Sequence, residues 1–400
     1  MPEGASNFSK QYLLRLAIYI YYEKTETIMK KVLLVASVLS HVAQFHRPLV
    51  DMLHQHGCEV HVAAHDNMDL KPGLKLDFVD KILEVPFVRS VSDKQNVKAY
   101  KAIKKIIDDG NYDVIHCNTP IASVLTRLAA RDARKHGTKV VYTAHGFQFF
   151  HGSSKKDWVI YYPIEKEMAR FTDLIFTINH EDTARAEAFH GPKVVYIPGV
   201  GVDTEKFRTA ERKDVRGELG IPSDAFMMLT VGELFPRKNQ KVLIDAMKQL
   251  KEYPIHLVLC GNGILLEELQ QQCRDNGVED RVHFAGYRRD IPSVMKDSDL
   301  YLFPSKREGL GLAGIEAMAS GLPVVSSNIN GILDYMIEGK TGHMCDPNDA
   351  DAFARAILDL YHNPDKRREI GAFNIEQAKN FDQAHSAAAL EEGYRQIALF

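Results

Sequence analysis

The stretch from Leu300 to Ser326 limits what this chain can fold into more than any other. It opens with the apolar run Leu300-Tyr301-Leu302-Phe303-Pro304 and passes through Lys306-Arg307-Glu308-Gly309-Leu310-Gly311. It continues as Leu312-Ala313-Gly314-Ile315-Glu316-Ala317-Met318-Ala319-Ser320 and closes on Gly321-Leu322-Pro323-Val324-Val325-Ser326. A short apolar run, a glycine-dense turn, a helix starting near Gly311 and a second apolar run make one βαβ unit. Such a unit aims the free N–H groups of a helix N-terminus at the carboxyl edge of a sheet, where anions bind. Glu308 and Glu316 flank that N-terminus, eight residues apart. A carboxylate accepts from both hydroxyls of a diol, so the unit predicts a ligand carrying phosphate and sugar hydroxyls. Eight residues of straight helix span about 12 Å, and the two acids need not touch the same ligand group.

The same alternation fills the rest of the chain. A first series of strand-like runs comprises Val32–Ala36, Val60–Ala64, Lys81–Val85, Val114–Cys117, Val140–Thr143, Leu174–Thr177 and Val194–Ile197, with helices such as Phe45–His56, Asn96–Asp108 and Ala122–His136 between them. A second comprises Met227–Val231, His256–Cys260, Val282–Ala285, Leu300–Phe303, Pro323–Ser326 and Gly342–Met344. Apolar strands alternating with helices predict parallel sheets covered on both faces. The expected fold is α/β: two Rossmann-like, doubly wound domains facing across a cleft. Four hundred residues suit two cores better than one. We divide the chain into an N-terminal extension 1–28, an N-terminal domain 29–200, a C-terminal domain 201–380 and a terminal helix 381–400. The Pro198–Asp203 segment, rich in Pro and Gly, reads as the hinge.

Composition narrows the function. The formal charge of −3 argues against a nucleic-acid binder. Residues 29–200 carry 23 Lys and Arg against 19 Asp and Glu, a balance of +4, and residues 201–400 carry 24 against 31, a balance of −7. That asymmetry would suit a first domain facing an anionic surface. Lys94, Lys98, Lys101 and Lys105 recur at helical spacing, with Val97, Ile103 and Ile107 read as the opposite, buried side. Five scattered cysteines without a C-x-x-C spacing read as reduced cytosolic thiols. No apolar run reaches the ~18–20 residues of a membrane span. Met29 before Lys30-Lys31-Val32-Leu33 resembles a chain start, so residues 1–28 read either as an upstream start or as an interfacial anchor.

Doubly wound sheets bind at the carboxyl ends of their strands, and with two of them the cleft is the default site. Polar groups follow several strand ends. Val231-Gly232-Glu233-Leu234-Phe235-Pro236-Arg237-Lys238 puts Lys238, preceded by Arg237, where it would offset a diphosphate. Cys260-Gly261-Asn262-Gly263 follows the next strand, and Gly286-Tyr287-Arg288 the one after. On the first domain, Val140–Thr143 ends at His145, and Val114–Cys117 ends with His116 and Asn118. The first βα turn, Ser37–Pro48, brings His41, His46 and Arg47, and reads as a polar turn.

The Glu-x7-Glu spacing, with Glu308-Gly309-Leu310 at its head and Glu316-Ala317-Met318-Ala319-Ser320-Gly321-Leu322-Pro323-Val324-Val325 at its tail, resembles the signature of retaining, nucleotide-sugar-dependent GT-B glycosyltransferases, the family-4-like "glycosyl transferases group 1". The wording of the first half, including Asn96–Lys101 and Tyr161–Lys166, resembles bacterial exopolysaccharide and capsule enzymes of that kind. The resemblance implies that Glu308 contacts donor-sugar hydroxyls, that Glu316 grips the ribose diol, and that the amides of Gly311, Leu312 and Ala313 meet phosphate. It implies His145, Lys238 and Glu308 as the catalytic set. Arg237, Gly261, Tyr287 and Arg288 would lie on the donor side, with Tyr287 and Arg288 at the base. His41, His46, His116 and Asn118 would lie on the acceptor side. The chain departs from the pattern in having Glu233 where an arginine is common and no Gly pair in the first βα turn.

The implied reaction moves a hexose or N-acetylhexosamine from a nucleoside-diphosphate sugar, UDP by default, to a polyprenyl-diphosphate-linked sugar or other glycan, without cofactor or metal. It would take place in the cytoplasm, with peripheral contact at an anionic membrane face. A non-hydrolysing UDP-sugar epimerase, a glycan phosphorylase and an inactive scaffold of a polysaccharide-assembly complex are the other readings of the same architecture.

Overall fold

The computed structural model describes residues 29–400 apart from 72, 89, 91 and 92; the extension 1–28 lies outside the described residues. Seven strands form the first sheet: β1 (Lys31–Val38), β2 (Glu59–His65), β3 (Lys81–Glu84), β4 (Val114–Cys117), β5 (Lys139–Ala144), β6 (Leu174–Thr177) and β7 (Lys193–Tyr196). Six form the second: β8 (Phe226–Val231), β9 (Ile255–Cys260), β10 (Val282–Gly286), β11 (Leu300–Phe303), β12 (Val324–Ser327) and β13 (Gly342–Cys345). The orders are β3-β2-β1-β4-β5-β6-β7 and β10-β9-β8-β11-β12-β13. Within each sheet the paired strands run parallel. Helices cover both faces, which is why a strand such as β1 reads Val-Leu-Leu-Val-Ala without alternation and is fully buried. These are two Rossmann-like domains of a GT-B fold.

Strand order reverses between β1 and β4 in the first sheet and between β8 and β11 in the second. A crevice opens at each such switch point, beyond the carboxyl ends of the strands. Segment 39–46 and Asn118 follow β1 and β4, while Gly232 and Glu308 follow β8 and β11. Most of the polar residues singled out in the sequence therefore stand at one of the two crevices.

Two local expectations are corrected. The expected helix Phe45–His56 is found as Arg47–Gln55, but the supposed polar turn Ser37–Pro48 is largely helical, with a further helix Leu39–Phe45 and His46 at the junction. Pro48 has no N–H to continue a helix arriving from Leu39, but it suits the first turn of a new one. On helix Gln95–Gly110 the buried stripe is Asn96, Ala99, Ile103 and Ile107. Val97 falls outside that 3.6-residue spacing and is 59 % exposed, on the side of the lysines.

The chain crosses between the domains twice, side by side. Val202 N–H donates to Phe381 O (2.9 Å) and Gln383 N–H to Val202 O (3.1 Å). Helix Gln383–Gln396 then packs back on the first sheet. His116 is fully buried under it, with Nδ1 2.7 Å from the Tyr394 hydroxyl and Nε2 2.7 Å from the Thr143 hydroxyl. Burial pushes its pKa down to about 3. Both nitrogens of this neutral ring are engaged, so His116 holds the terminal helix in place and offers nothing to an acceptor, contrary to the sequence reading. Tyr394→Phe would leave a buried ring nitrogen unsatisfied, and a loss of about 1–3 kcal/mol at unchanged m-value is expected in urea unfolding.

Candidate active site

The floor of the second domain is made by tightly packed turns. A Cβ on Gly261 would lie 2.0 Å from Gly232 O, so the turn after β9 can rest on the turn after β8 only as glycine. The chain then forms the short turn Pro236–Lys238 and passes through Asn239 at φ +58°. A non-glycine residue needs support in that region. Here the Asn239 carboxamide donates to Pro304 O (3.0 Å) and Pro347 O (2.6 Å). This fixture aims Lys238 across the end of β11. Lys238 Nζ stands 2.5 Å from Glu308 Oε1, and Arg237 Nη1 is 3.7 Å from the same oxygen. Lys238 and Glu308 are nearly buried and Arg237 is half exposed.

Gly311 begins helix Leu312–Ala319 at φ +89°, and a Cβ there would lie 2.6 Å from the Phe303 ring. No side chain caps this end, which leaves the amides of the first turn available to an anion. Glu316 lies on the second turn. Among the described residues nothing donates a hydrogen bond to its carboxylate. Burial pushes its pKa up to about 7, with the Lys206 charge pulling weakly the other way.

Across the cleft, β5 delivers His145 into a group of three imidazoles. Ring centroids are 5.1 Å apart for His41 and His145, 5.1 Å for His41 and His46, and 5.8 Å for His46 and His145. Burial first, then the neighbouring histidines, holds His46 and His145 well below the usual imidazole range, so both are neutral at pH 7. His145 Nε2 lies 3.4 Å from Asn118 Oδ1. Ring nitrogens of the three come within 4.8 Å of one another.

The two domains touch backbone to backbone beside these residues. A Cβ on Gly309 would lie 2.3 Å from His145 O, and one on Gly146 would lie 2.8 Å from Gly309 Cα. Asn179 donates to Gly309 O (2.8 Å) and to Asp182 (2.9 Å), and Asp182 accepts from Phe147 N–H (2.9 Å). Arg307 reaches Gln148 Oε1 (2.5 Å) and Gly146 O (3.3 Å). Burial lowers the Arg307 pKa and pushes Asp182 up to about 6. His145 and Glu308 thus flank one short contact. Gly309→Ala is expected to force the turns apart and to lower turnover at least about tenfold, since a 1 Å misplacement is costly to a reaction; steady-state rates at matched Tm check this.

Sequence reasoning missed Arg307, Asn239, Asn179 and Asp182 as parts of the site. Asn at a helix start and a cation within the Lys306–Gly311 turn were the available signals. On the donor side, Tyr287 is 71 % exposed. The Arg288 guanidinium is taken by Glu218 (2.6 and 3.0 Å) and Asp290 (3.0 and 2.8 Å).

Two family profiles match the two halves: "Glycosyltransferase Family 4" over residues 43–206 and "Glycosyl transferases group 1" over residues 211–377. A protein of Bacillus subtilis named "Putative glycosyltransferase EpsD" is 38 % identical, over 91 % of this chain and 96 % of its own. A UDP-Gal:alpha-D-GlcNAc-diphosphoundecaprenol alpha-1,3-galactosyltransferase of Escherichia coli is 30 % identical, over 75 % of this chain and 82 % of its own. In three dimensions the chain is similar to Anabaena HepE, solved with UDP and glucose (TM-score 0.76, 22 % identity, 92 % of this chain and 100 % of that one). The chain belongs to the family-4, group 1 glycosyltransferases, and it is a glycosyltransferase of GT-B fold.

Proposed function

We propose that the protein transfers a hexose or N-acetylhexosamine from a UDP-sugar to a sugar hydroxyl of a polyprenyl-diphosphate-linked acceptor in exopolysaccharide or capsule assembly, with retention at the anomeric carbon. The observation that carries this reading is the Lys238–Glu308 pair set beside the uncapped N-terminus of helix Leu312–Ala319. A cation and free amides at one point suit a diphosphate leaving group, and a carboxylate beside them suits the sugar attached to it. The relatives' names support the donor and the acceptor: HepE has also been solved with UDP-glucose, and the Escherichia coli enzyme is named for a diphosphoundecaprenol acceptor.

In this reading the diphosphate displaces Glu308 from Lys238, and Arg237 adds a second cation. The amides of residues 311–313 take the remaining phosphate charge, so no metal is needed. Glu316 accepts from the ribose hydroxyls, and the turn after Gly261 and the loop at Tyr287 border the nucleoside. Neutral His145 accepts from a donor-sugar hydroxyl. His41, His46 and Asn118 face the acceptor, whose proton passes to the leaving phosphate as the new glycosidic bond forms on the same face. The contact at Gly309 and Gly146 closes the cleft against water. No described helix is long and apolar enough to cross a membrane, and a lipid-linked acceptor is met at a membrane surface.

The test is a thermal-shift panel of UDP, GDP, ADP and several UDP-sugars, because a ligand of the native state raises its melting temperature. UDP is expected to shift it, with or without EDTA. No shift from any of them would remove the nucleotide-sugar reading and leave the inactive scaffold. The anomeric configuration of the product, read by NMR, tests retention.

A further inference from the structure

Five residues of continuous helix turn a side chain through about 500°, which would put His41 and His46 on different faces. The break at His46, where φ is −113° and ψ 7°, ends helix Leu39–Phe45 and leaves the two rings 5.1 Å apart. Strand β5 then delivers His145 to both. One nitrogen from each of the three rings lies within 4.8 Å of the other two. Edge-to-face packing of the rings accounts for their spacing. It does not account for His46 Nε2, which is buried and has no hydrogen-bond partner among the described residues. An orphaned buried nitrogen costs about 1–3 kcal/mol, which a ligand at that point would recover.

The donor set indicates which ligand. Among the described residues the group holds three imidazoles and no carboxylate. Imidazole suits zinc, copper and nickel, whereas magnesium and calcium take oxygen ligands. Neutral rings bind metal without first losing a proton, and His46 and His145 are already neutral. Zn–N bonds of about 2.0–2.1 Å require the rings to rotate inwards by a small amount. His46 and His145 border a cavity of about 20 Å³, so close packing does not lock them on every side. His46 is buried, but His41 and His145 are only half-buried and leave a side from which an ion can enter.

We propose that His41, His46 and His145 together bind one divalent ion of the zinc class, and that the bound ion inhibits sugar transfer. The inhibition rests on the transfer reading above, in which His145 meets the donor sugar while His41 and His46 face the acceptor. The ion takes the lone pairs those contacts need. Metal binding is measured without donor or acceptor, so the site and the transfer reading can fail separately.

The experiment titrates the untagged full chain with Zn²⁺ by calorimetry, and with Co²⁺ by its visible absorption. One tightly bound ion per chain is expected, and excess Mg²⁺ is expected not to compete with it. His41→Ala and His46→Phe are each expected to weaken Zn²⁺ at least about tenfold. His46→Phe keeps a ring in the buried position and removes its nitrogens, while His41→Ala changes a half-buried residue and tests the site even if the other variant misfolds. His256→Ala with His283→Ala removes another close imidazole pair (3.0 Å) outside the cluster and is expected to bind like wild type. Zn²⁺ is expected to abolish transfer by the wild type and by that control, and EDTA to restore it. Absence of one-to-one binding by the wild type would overturn the site, as would wild-type-like binding by either folded cluster variant. One-to-one binding that leaves transfer unchanged, or speeds it, would overturn the inhibition.

Discussion

Lys238→Ala is expected to lower kcat about a hundred- to a thousandfold, the loss typical when one preorganised group facing developing charge is removed. In the proposed reaction the diphosphate carries the charge released as the glycosidic bond breaks, and Lys238 is the cation assigned to meet it. Its stem lies against the turn of Gly232, with a Gly232 Cβ position 3.4 Å from Lys238 Cε, and its ammonium is fixed by Glu308. That fixture makes the partner substitution informative. In the unliganded protein a phosphate must compete with the Glu308 carboxylate for Lys238. Glu308→Gln removes the competing charge and keeps the shape, so UDP is expected to bind as well as or more tightly than to wild type. Transfer is nevertheless expected to fall, because the carboxylate proposed to face the donor sugar is gone. Lys238→Ala weakens UDP and slows transfer together. Calorimetric titration of UDP beside steady-state rates separates the two patterns. A kcat within about threefold of wild type for Lys238→Ala would remove the lysine from the mechanism.

What the sequence made legible was whatever is written locally. Strand–turn–helix alternation announced two doubly wound sheets, because a strand buried on both faces reads as a continuous apolar run. Gly311 announced the helix start, because only glycine fits against Phe303 at positive φ. The unread parts depend on partners far along the chain. His116 looked like any strand-end histidine until Tyr394, 278 residues later, was seen to take one of its nitrogens. Asn179 reads as an ordinary helix cap, since its side chain does accept from Asp182 N–H, yet its amide also donates to Gly309 across the cleft. Val97 was assigned to the wrong face because one residue on a helix turns a side chain through about 100°, enough to leave the stripe.

Glu316→Gln is expected to stabilise the unliganded protein at pH 8 while abolishing its preference for a complete ribose. The sign follows from proton linkage. Burial raises the Glu316 carboxyl from an ordinary 4.5 to about 7 in the folded state. Between those values the folded chain keeps a proton that the unfolded chain has lost, so stability falls as pH rises through that window and stays low above it. At pH 8 the cost is about 3 kcal/mol. Glutamine is neutral throughout and escapes it, which corresponds to a rise of roughly 6–12 °C in the Tm of a domain this size. At pH 4 the wild-type side chain is protonated in both states, and the difference should disappear. Function moves the other way. An ionised carboxylate accepts from both ribose hydroxyls, whereas an amide presents one acceptor and one donor. Wild type should therefore bind UDP more tightly as pH rises through 7, and bind 2′-deoxy-UDP more weakly than UDP. The glutamine variant should show neither effect. A fold that tolerates an unpaired, half-desolvated carboxylate at neutral pH is giving up stability at a point where a ligand hydroxyl pair would restore it. Equal Tm values for the two proteins at pH 8, or discrimination against the deoxy nucleotide retained in the variant, would separate Glu316 from the ribose altogether.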